Sequence, residues 1–487
     1  MPVSQRLVAG VDSSTQSCKV VVCDADTGEI VRSARAPHPD GTEVHPDRWW
    51  EAWLEATGGG ILDGVSAVAV AGQQHGMVTL DEFDEVVRPA LLWNDTRSAP
   101  DAEALLGELG GAAAWAAQVG VVPVAAVTVT KLRWLARCEP ETAARVRRCV
   151  LPHDWLTGRI LGGGLAPREW TTDRGDASGT GYWSAVTGDY RPDILEFAMG
   201  RTIAVPRVLG PDEPAGMTAD GMLVAAGTGD NMGAALGLGL EHGDAVVSLG
   251  TSGTVFARHE LPISDPTGVI ASFADAAGGF LPLMCTLNAA RVLSAAATML
   301  GTDLAGLDQL ALAGAPGAGG LTLLPYLDGE RTPDLPSATG TLGGLTRANA
   351  TPENLARAAV EGMLCNLAYG VDALRQEGVA VDRVLLIGGA AASWAVRAIA
   401  PQLFGVPVAV PVPGEYVGIG AARQAAWALA SQDHAGAPLP QWEVSTETGA
   451  GASAWAGFGT AGTVDSGTAE QVRARYAELL AQVHGLG

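Results

Sequence analysis

One design occurs twice in this chain. LVAGVDSSTQSCKVVVC, residues 7–23, reads as strand, short polar turn, strand; AVVSLGTSGTVFA, residues 245–257, repeats that order around a turn of small residues. Two similar hairpins, each opening one half of the chain, point to a duplicated domain. At 487 residues the chain also exceeds the size at which a single core keeps growing. Two domains are therefore expected, residues 1–240 and 241–487.

The approach to the second hairpin carries the most chemistry. AAGTGDNMGAALG sets Asp230 between glycines and small residues, and the strand after it ends in SLGTSG. Successive backbone N–H groups in a tight Gly/Ser/Thr turn can converge on phosphate oxygens, because glycine lets the backbone approach closely. A carboxylate beside a transferring phosphoryl group can take the proton of an attacking hydroxyl. Both features also have plainer readings, Asp230 as a helix N-cap and the glycine turn as a turn only.

Charge narrows the partners. With 30 basic against 53 acidic residues the formal charge is −23, which repels nucleic acid and anionic membranes, so neither is expected. An anionic substrate would need local help from a metal or from backbone N–H groups. The lysines are Lys19 and Lys131, and neither follows a glycine, which excludes a Walker A loop. The six cysteines form no CxxC pair and read as free thiols rather than a zinc site. No signal peptide and no membrane-length apolar run are expected, and the expected location is cytoplasmic.

Further along, the strand VSAVAVAG runs into GQQHG. Polar residues just past a buried parallel strand sit where α/β proteins bind ligands, so Gln74 and His75 are candidates for holding a hydroxylated substrate. An idle loop histidine is the plainer alternative. PDRWWEAWLEA reads as a helix with its tryptophans in the core, and TTDRGDASGTGYW as a turn-rich surface segment near the cleft between domains. LTLLPYLDGERTPDLPSATGTLGGLT reads as a long irregular excursion, and NLARAAVEGMLCNLAYGVDALRQEG as a long amphipathic helix. RVLLIGGAAAS gives a buried strand, a Gly-Gly turn and a helix start, and PGEYVGIGAARQAAWAL a helix closing the second domain. Composition predicts a mobile stretch at about 432–467, followed by a last helix at AEQVRARYAELLAQV.

Taken in order, GVDSSTQSCK, GQQHG, LWNDTR, TKLRWL, GTGDNMGAALG, SLGTSG, LPYLDGERTP, GTLGGLTRANATPENLARAAVEG and LLIGGAAAS resemble the FGGY family of carbohydrate kinases, and within it the branch that phosphorylates xylulose. The resemblance covers essentially the whole chain apart from the C-terminal mobile stretch. It implies an α/β, two-domain actin/Hsp70/hexokinase-like ATPase fold, duplicated and ribonuclease H-like, with an interdomain cleft. It further implies transfer of the γ-phosphoryl of Mg·ATP to the 5-hydroxyl of D-xylulose. Ribulose, fuculose or gluconate are alternative acceptors, and a sugar sensor without transfer is the alternative outside enzymology.

By the same resemblance Asp230 is the general base, and Asp12 positions Mg²⁺, mostly through water. Thr251, Ser252 and Gly253 cradle the ATP phosphates, with Ser14 and Thr15 facing them. Gly388 and Gly389 adjoin the adenosine, while Gln74, His75 and Asn231 contact the sugar. Glycerol kinases typically carry Arg-Glu where this chain has Gln74-His75, which argues against glycerol. Two departures stand out: Ala390 replaces a third glycine, and Ala126 and Cys138 are unusual in the first family signature. Neither touches the phosphoryl-transfer groups. A homodimer is the expected assembly.

Overall fold

The computed structural model describes residues 6–443 and 466–486. These fall into two units, one of residues 6–240, 258–282 and 415–443, the other of 241–257, 283–414 and 466–486.

The first unit is built on a seven-stranded sheet. Its order is Pro214–Met217, Leu223–Ala225, Val65–Gly72, Leu7–Ser13, Ser17–Asp24, Ile30–Pro37, with Thr228–Gly229 pairing the end of Val65–Gly72. Leu7–Ser13 runs antiparallel to Ser17–Asp24 and parallel to Val65–Gly72. Side chains alternate across a strand, so these apolar runs supply two cores. Ala9, Val11, Val20, Val22, Val68 and Val70 face one side with Trp49, Trp53 and Trp155. Val8, Val21, Ala67 and Ala69 face the other, against Ala421, Ala422 and Ala425. The tryptophans of helix Asp47–Ala56 are thus core, as their spacing predicts.

Helix Tyr416–Asp433 covers that second face, although the sequence places it in the closing domain. Glycine is the reason. A Cβ on Gly10 would stand 1.8 Å from the Gly418 carbonyl oxygen, and one on Gly420 would stand 1.9 Å from that of Gly233. Strand Leu7–Ser13 and helix Asp230–Gly237 therefore touch the covering helix backbone to backbone. The predicted mobile stretch begins in this region, and its residues 444–465 lie outside the described residues. Its first part is tied down: Trp442 is buried and donates from Nε1 to the Ala25 carbonyl oxygen at 3.2 Å.

TTDRGDASGTGYW lies inside the first unit rather than on a surface, with Thr171, Asp173, Asp176, Ser178 and Tyr182 all buried. Many of its polar groups are satisfied within the unit, which is what lets a turn-rich segment go inside, although Thr172 Oγ1, Asp176 Oδ1 and Trp183 Nε1 have no partner. Asp173 accepts from the N–H groups of Gly175 and Asp176, capping the short helix Arg174–Ser178, and the Ser178 hydroxyl donates to the Gly175 carbonyl.

The second unit repeats the strand pattern. Asp244–Leu249 runs antiparallel to Gly253–Ala257 and parallel to Arg383–Ile387, which pairs in turn with Val408–Ala409. Helix Pro352–Gln376 is largely buried and is capped by the Thr351 side chain. The segment LPYLDGERTP is irregular, as expected, but it is anchored by Glu330. That buried carboxylate accepts from Thr286 Oγ1 at 2.7 Å, the Leu287 N–H at 2.6 Å and Asn288 Nδ2 at 3.0 Å. The last helix, Ser466–His484, docks through Tyr476, whose hydroxyl lies 3.0 Å from that of Tyr326. No helix of the described residues is long and apolar enough to cross a membrane.

Candidate active site

In the first unit, register assembles the site. Asp12 lies beside Ala71, which lies beside Thr228; Ser13 lies beside Gly72, which lies beside Gly229. Three strands thus end in one row, and the residues that follow leave the sheet together: Ser14 and Thr15, Gln73 to His75, and Asp230. This is the carboxyl edge of parallel strands, where α/β sheets present ligand-binding groups.

Asp230 opens helix Asp230–Gly237, and Gly229 holds the N-cap position, so the aspartate is not the cap that its setting allows. Its Oδ1 accepts from the N–H of Asn231 at 2.8 Å and from Asn231 Nδ2 at 2.9 Å. Asn231 therefore holds the aspartate. Burial, and then the charge of Asp12, push the Asp230 carboxyl up to about 7, while its own helix N–H and Asn231 pull the other way. A carboxyl poised near neutrality suits a general base.

Asp12 is buried and its pKa is raised, chiefly by burial and against the pull of Lys19. Lys19 Nζ lies 3.4 Å from Asp12 Oδ2 and 2.7 Å from Glu415 Oε2. The sequence reading missed this partner, yet Asp12 and Lys19 are directly opposed in the hairpin register. Asp12 Oδ1 has no hydrogen-bond partner. An orphaned, buried carboxylate oxygen near a second carboxylate fits a site that takes a cation.

Gln74 is buried, its Nε2 lies 3.5 Å from the Gly175 carbonyl oxygen, and a Cβ on Gly229 would stand 2.7 Å from its Cγ. His75 has φ 66°, unusual for a residue with a side chain. Its Nδ1 donates to the Gly179 carbonyl at 2.8 Å, and its ring lies 5.6 Å from that of Phe273. Backbone held in this region concentrates at functional sites. Ser14 and Thr15 form the hairpin turn: the Ser14 carbonyl accepts from His38 Nδ1 at 2.8 Å, and Thr15 Oγ1 accepts from Trp93 Nε1 at 2.9 Å. Gln73, which the sequence reading passed over, is 1% exposed, and neither its Oε1 nor its Nε2 has a partner. The signal was its place as the first polar residue after the strand.

In the second unit, Leu249 pairs with Gly253, which leaves Gly250, Thr251 and Ser252 as the turn. The Gly250 carbonyl accepts from the Ala290 N–H at 2.9 Å, fixing the turn against helix Ala290–Met299. Strand Arg383–Ile387 ends beside Ser248, so Gly388 and Gly389 emerge next to that turn. Gly388 has φ 90°, and a Cβ there would stand 2.6 Å from the Leu249 carbonyl carbon. Gly389 has open space around its Cβ position. The structure thus brings Thr251, Ser252, Gly253, Gly388 and Gly389 to one edge, and Asp12, Ser14, Thr15, Gln74, His75, Asp230 and Asn231 to the other.

Two family models account for most of the chain: the N-terminal domain of the FGGY carbohydrate kinases over residues 7–239, and their C-terminal domain over 245–429. The chain belongs to the FGGY family of carbohydrate kinases. Its two α/β units form the actin- and hexokinase-like fold of that family. It is similar to a xylulose kinase of Streptomyces coelicolor, at 47% identity over 454 residues, 90% of this chain and 91% of the relative. A xylulose kinase of Streptomyces rubiginosus is 46% identical over the same shares. The crystal structure of xylulose kinase from Bifidobacterium adolescentis matches with a TM-score of 0.85 and 46% identity, covering 91% of this chain and 96% of that one.

Proposed function

We propose that this FGGY kinase transfers the γ-phosphoryl of Mg·ATP to the 5-hydroxyl of D-xylulose, giving D-xylulose 5-phosphate and ADP. The observation that carries the chemistry is Asp230, a carboxyl raised to about 7 at the end of three strands, beside an orphaned oxygen of Asp12. The likeness to xylulose kinases, 47% identical over 90% of the chain, carries the choice of sugar.

Each residue has a role in this reading. Asp230 takes the hydroxyl proton, with Asn231 fixing its Oδ1. Gln74 and His75 hold the sugar. Asp12, with its free Oδ1, holds Mg²⁺ through water; the ion supplies charge neutralisation for the phosphates. Ser14, Thr15, Thr251, Ser252 and Gly253 hold phosphate oxygens, and Gly388 and Gly389 accept the adenosine, where a side chain at Gly388 has no room. The sugar side lies in the unit of residues 6–240, 258–282 and 415–443, rather than 1–240 alone, and the nucleotide side in the remainder of 241–487. The enzyme works in the cytoplasm, as a homodimer.

The test is Mg·ATP-dependent ADP release across ketoses, aldoses, polyols and aldonates. D-Xylulose alone is expected to give strong turnover that Asp230→Asn abolishes. Turnover with ribulose, fuculose or gluconate instead would replace the substrate and keep the mechanism, and sugar binding without turnover would replace kinase by sensor.

A further inference from the structure

His153 is fully buried where four segments of the first unit meet. Its Nε2 lies 2.9 Å from the Ala226 carbonyl oxygen. A carbonyl only accepts, so Nε2 carries a proton. Nδ1 lies 3.1 Å from Asp154 Oδ1 and 3.1 Å from Asp176 Oδ2. A lone pair at Nδ1 would face two carboxylate oxygens with no water to separate them, so a second proton belongs there.

The charged groups around the ring are Asp154 from its own helix, Pro152–Leu161, and Asp173 and Asp176 from the segment that carries helix Arg174–Ser178. Strand Val65–Gly72 and the turn after Ala225 approach it closely at glycines and bring no charged group there: a Cβ on Gly72 would stand 2.9 Å from His153 Cβ, and one on Gly227 would stand 2.2 Å from Nε2. Burial alone would lower the imidazole pKa, but the close contacts and charges of Asp154 and Asp176 outweigh it and hold the ring well above its ordinary value. Burial likewise pushes Asp176 up, while the hydrogen bond and charge of His153 pull it down.

The contacts around this ring reach the reacting groups. Ala226 lies four residues before Asp230. Asp173 Oδ2 accepts from Thr228 Oγ1 at 2.9 Å and from the Gly175 N–H at 2.8 Å. The Gly175 and Gly179 carbonyls face Gln74 Nε2 and His75 Nδ1 at 3.5 Å and 2.8 Å.

We infer that His153, an imidazolium between Asp154 and Asp176, is a positioning residue for the transfer step, locking the turn that aims Asp230 to the turn that holds Gln74 and His75. This rests on the roles assigned above to Asp230, Gln74 and His75. A histidine with two acidic neighbours could also mark a metal site, but a ring with Nε2 already donating and Nδ1 between two carboxylates is satisfied by a proton.

The test is a charge-compensation series. His153→Gln keeps a donor for Ala226 and removes the charge. It is expected to lower kcat by about 10- to 100-fold, the scale of a misplaced catalytic group, with KM for Mg·ATP unchanged. Adding Asp176→Asn removes the acid left without its partner and is expected to restore most of kcat. A loss that only follows the unfolded fraction, with no recovery in the double variant, overturns the inference. Where His153→Gln does not fold, ¹⁵N ring shifts of the histidine-labelled parent decide. One of the eight histidines is expected to keep both ring nitrogens protonated at a pH where the others have lost a proton, and to be unmoved by chelator. If every histidine loses its proton in the ordinary imidazole range, or a chelator shifts the buried ring, the inference fails. Because this arm needs no turnover, it stands apart from any failure of Asp230→Asn to abolish activity.

Discussion

The carboxyl edges of the two sheets follow the same strand pattern and carry opposite chemistry. In each unit a hairpin's first strand runs antiparallel to its second and parallel to a third strand. At that row the first unit places carboxylates, Asp12 and Asp230, with Lys19 as a local counter-charge. The second places Thr251, Ser252, Gly253, Gly388 and Gly389, which are uncharged. A duplicated scaffold thus offers one edge for proton and cation chemistry and another for close backbone approach. With a formal charge of −23 on the chain, a nucleotide triphosphate is better met by backbone and hydroxyl groups than by an edge lined with carboxylates.

The largest effect belongs to the acidic edge. Asp230→Asn is expected to lower kcat by about 10²- to 10⁴-fold, the usual contribution of a positioned base, measured by ADP release with circular dichroism confirming the fold. For the parent, kcat/KM should rise with pH toward a plateau above about 7, because the base form is the ionised one and its pKa stands at about 7. The stability consequence has the opposite sense. The folded pKa lies above the ordinary 3.8, so the folded state favours the proton, and this contribution is lost as pH rises toward 7 and beyond. Asp230→Asn should therefore melt at a higher temperature than the parent at pH 8, and the gap should close toward pH 4. An equal gap at both pH values would remove the titration from the account.

Next in size is Asp12→Asn. Its unsatisfied Oδ1 is the feature that an ion and its water shell would use. Loss of its charge should lower turnover by roughly 10- to 100-fold at limiting Mg²⁺, and excess Mg²⁺ should recover part of it, since the ion supplies much of the charge neutralisation for the transferring group. A titration of activity against free Mg²⁺ checks this. Equal loss at every Mg²⁺ concentration would make Asp12 a structural partner of Lys19 instead.

The glycine edge should respond differently. Gly388→Ala forces a side chain into φ 90° and against Leu249, and strained positions of this kind cost about 1–3 kcal/mol. The expected result is a KM for ATP raised by about tenfold, with KM for sugar unchanged. Both constants rising together would erase the division of labour between the two edges.

Much of this division can be read from the sequence, for identifiable reasons. Each hairpin is a local pattern of alternating strand and small polar turn, so Ser14, Thr15, Thr251 and Ser252 fall on turns, and Asp12 and Gly253 on the strand ends beside them, without any tertiary knowledge. Asp230 and the Gln74-His75 pair stand beside glycines that interrupt apolar strands. Long-range packing is harder to see. Helix Tyr416–Asp433 reaches the first sheet because Gly10, Gly418, Gly420 and Gly233 let backbones touch, and nothing local says which sheet a glycine-rich helix will cover. TTDRGDASGTGYW has the composition of a surface turn, and its hydrogen bonds, those of Asp173 and Ser178 above all, make its burial tolerable. The pairing of His153 with Asp154 and Asp176 spans segments 23 residues apart and has no periodic signature.

The smallest effect is the one that best tests how far the sugar side extends. Gln73 donates its backbone N–H to the Ser13 carbonyl at 3.1 Å, yet both polar atoms of its buried side chain lack partners. Leaving a buried polar group unpaired costs about 1–3 kcal/mol, whereas an apolar side chain of similar shape avoids that cost. Gln73→Leu should therefore melt at the same temperature as the parent or slightly higher. If the amide is kept for the sugar, KM for D-xylulose should rise by about tenfold, the weight of one net hydrogen bond of roughly 1 kcal/mol or a little more, with KM for ATP unmoved. Gln74→Leu provides the scale, because its amide already faces Gly175 and so has less left to offer a ligand. A Gln73→Leu chain that is more stable and binds sugar as before would confine recognition to Gln74 and His75. A weaker sugar KM in both variants would extend the polar edge to all three residues that follow the strand.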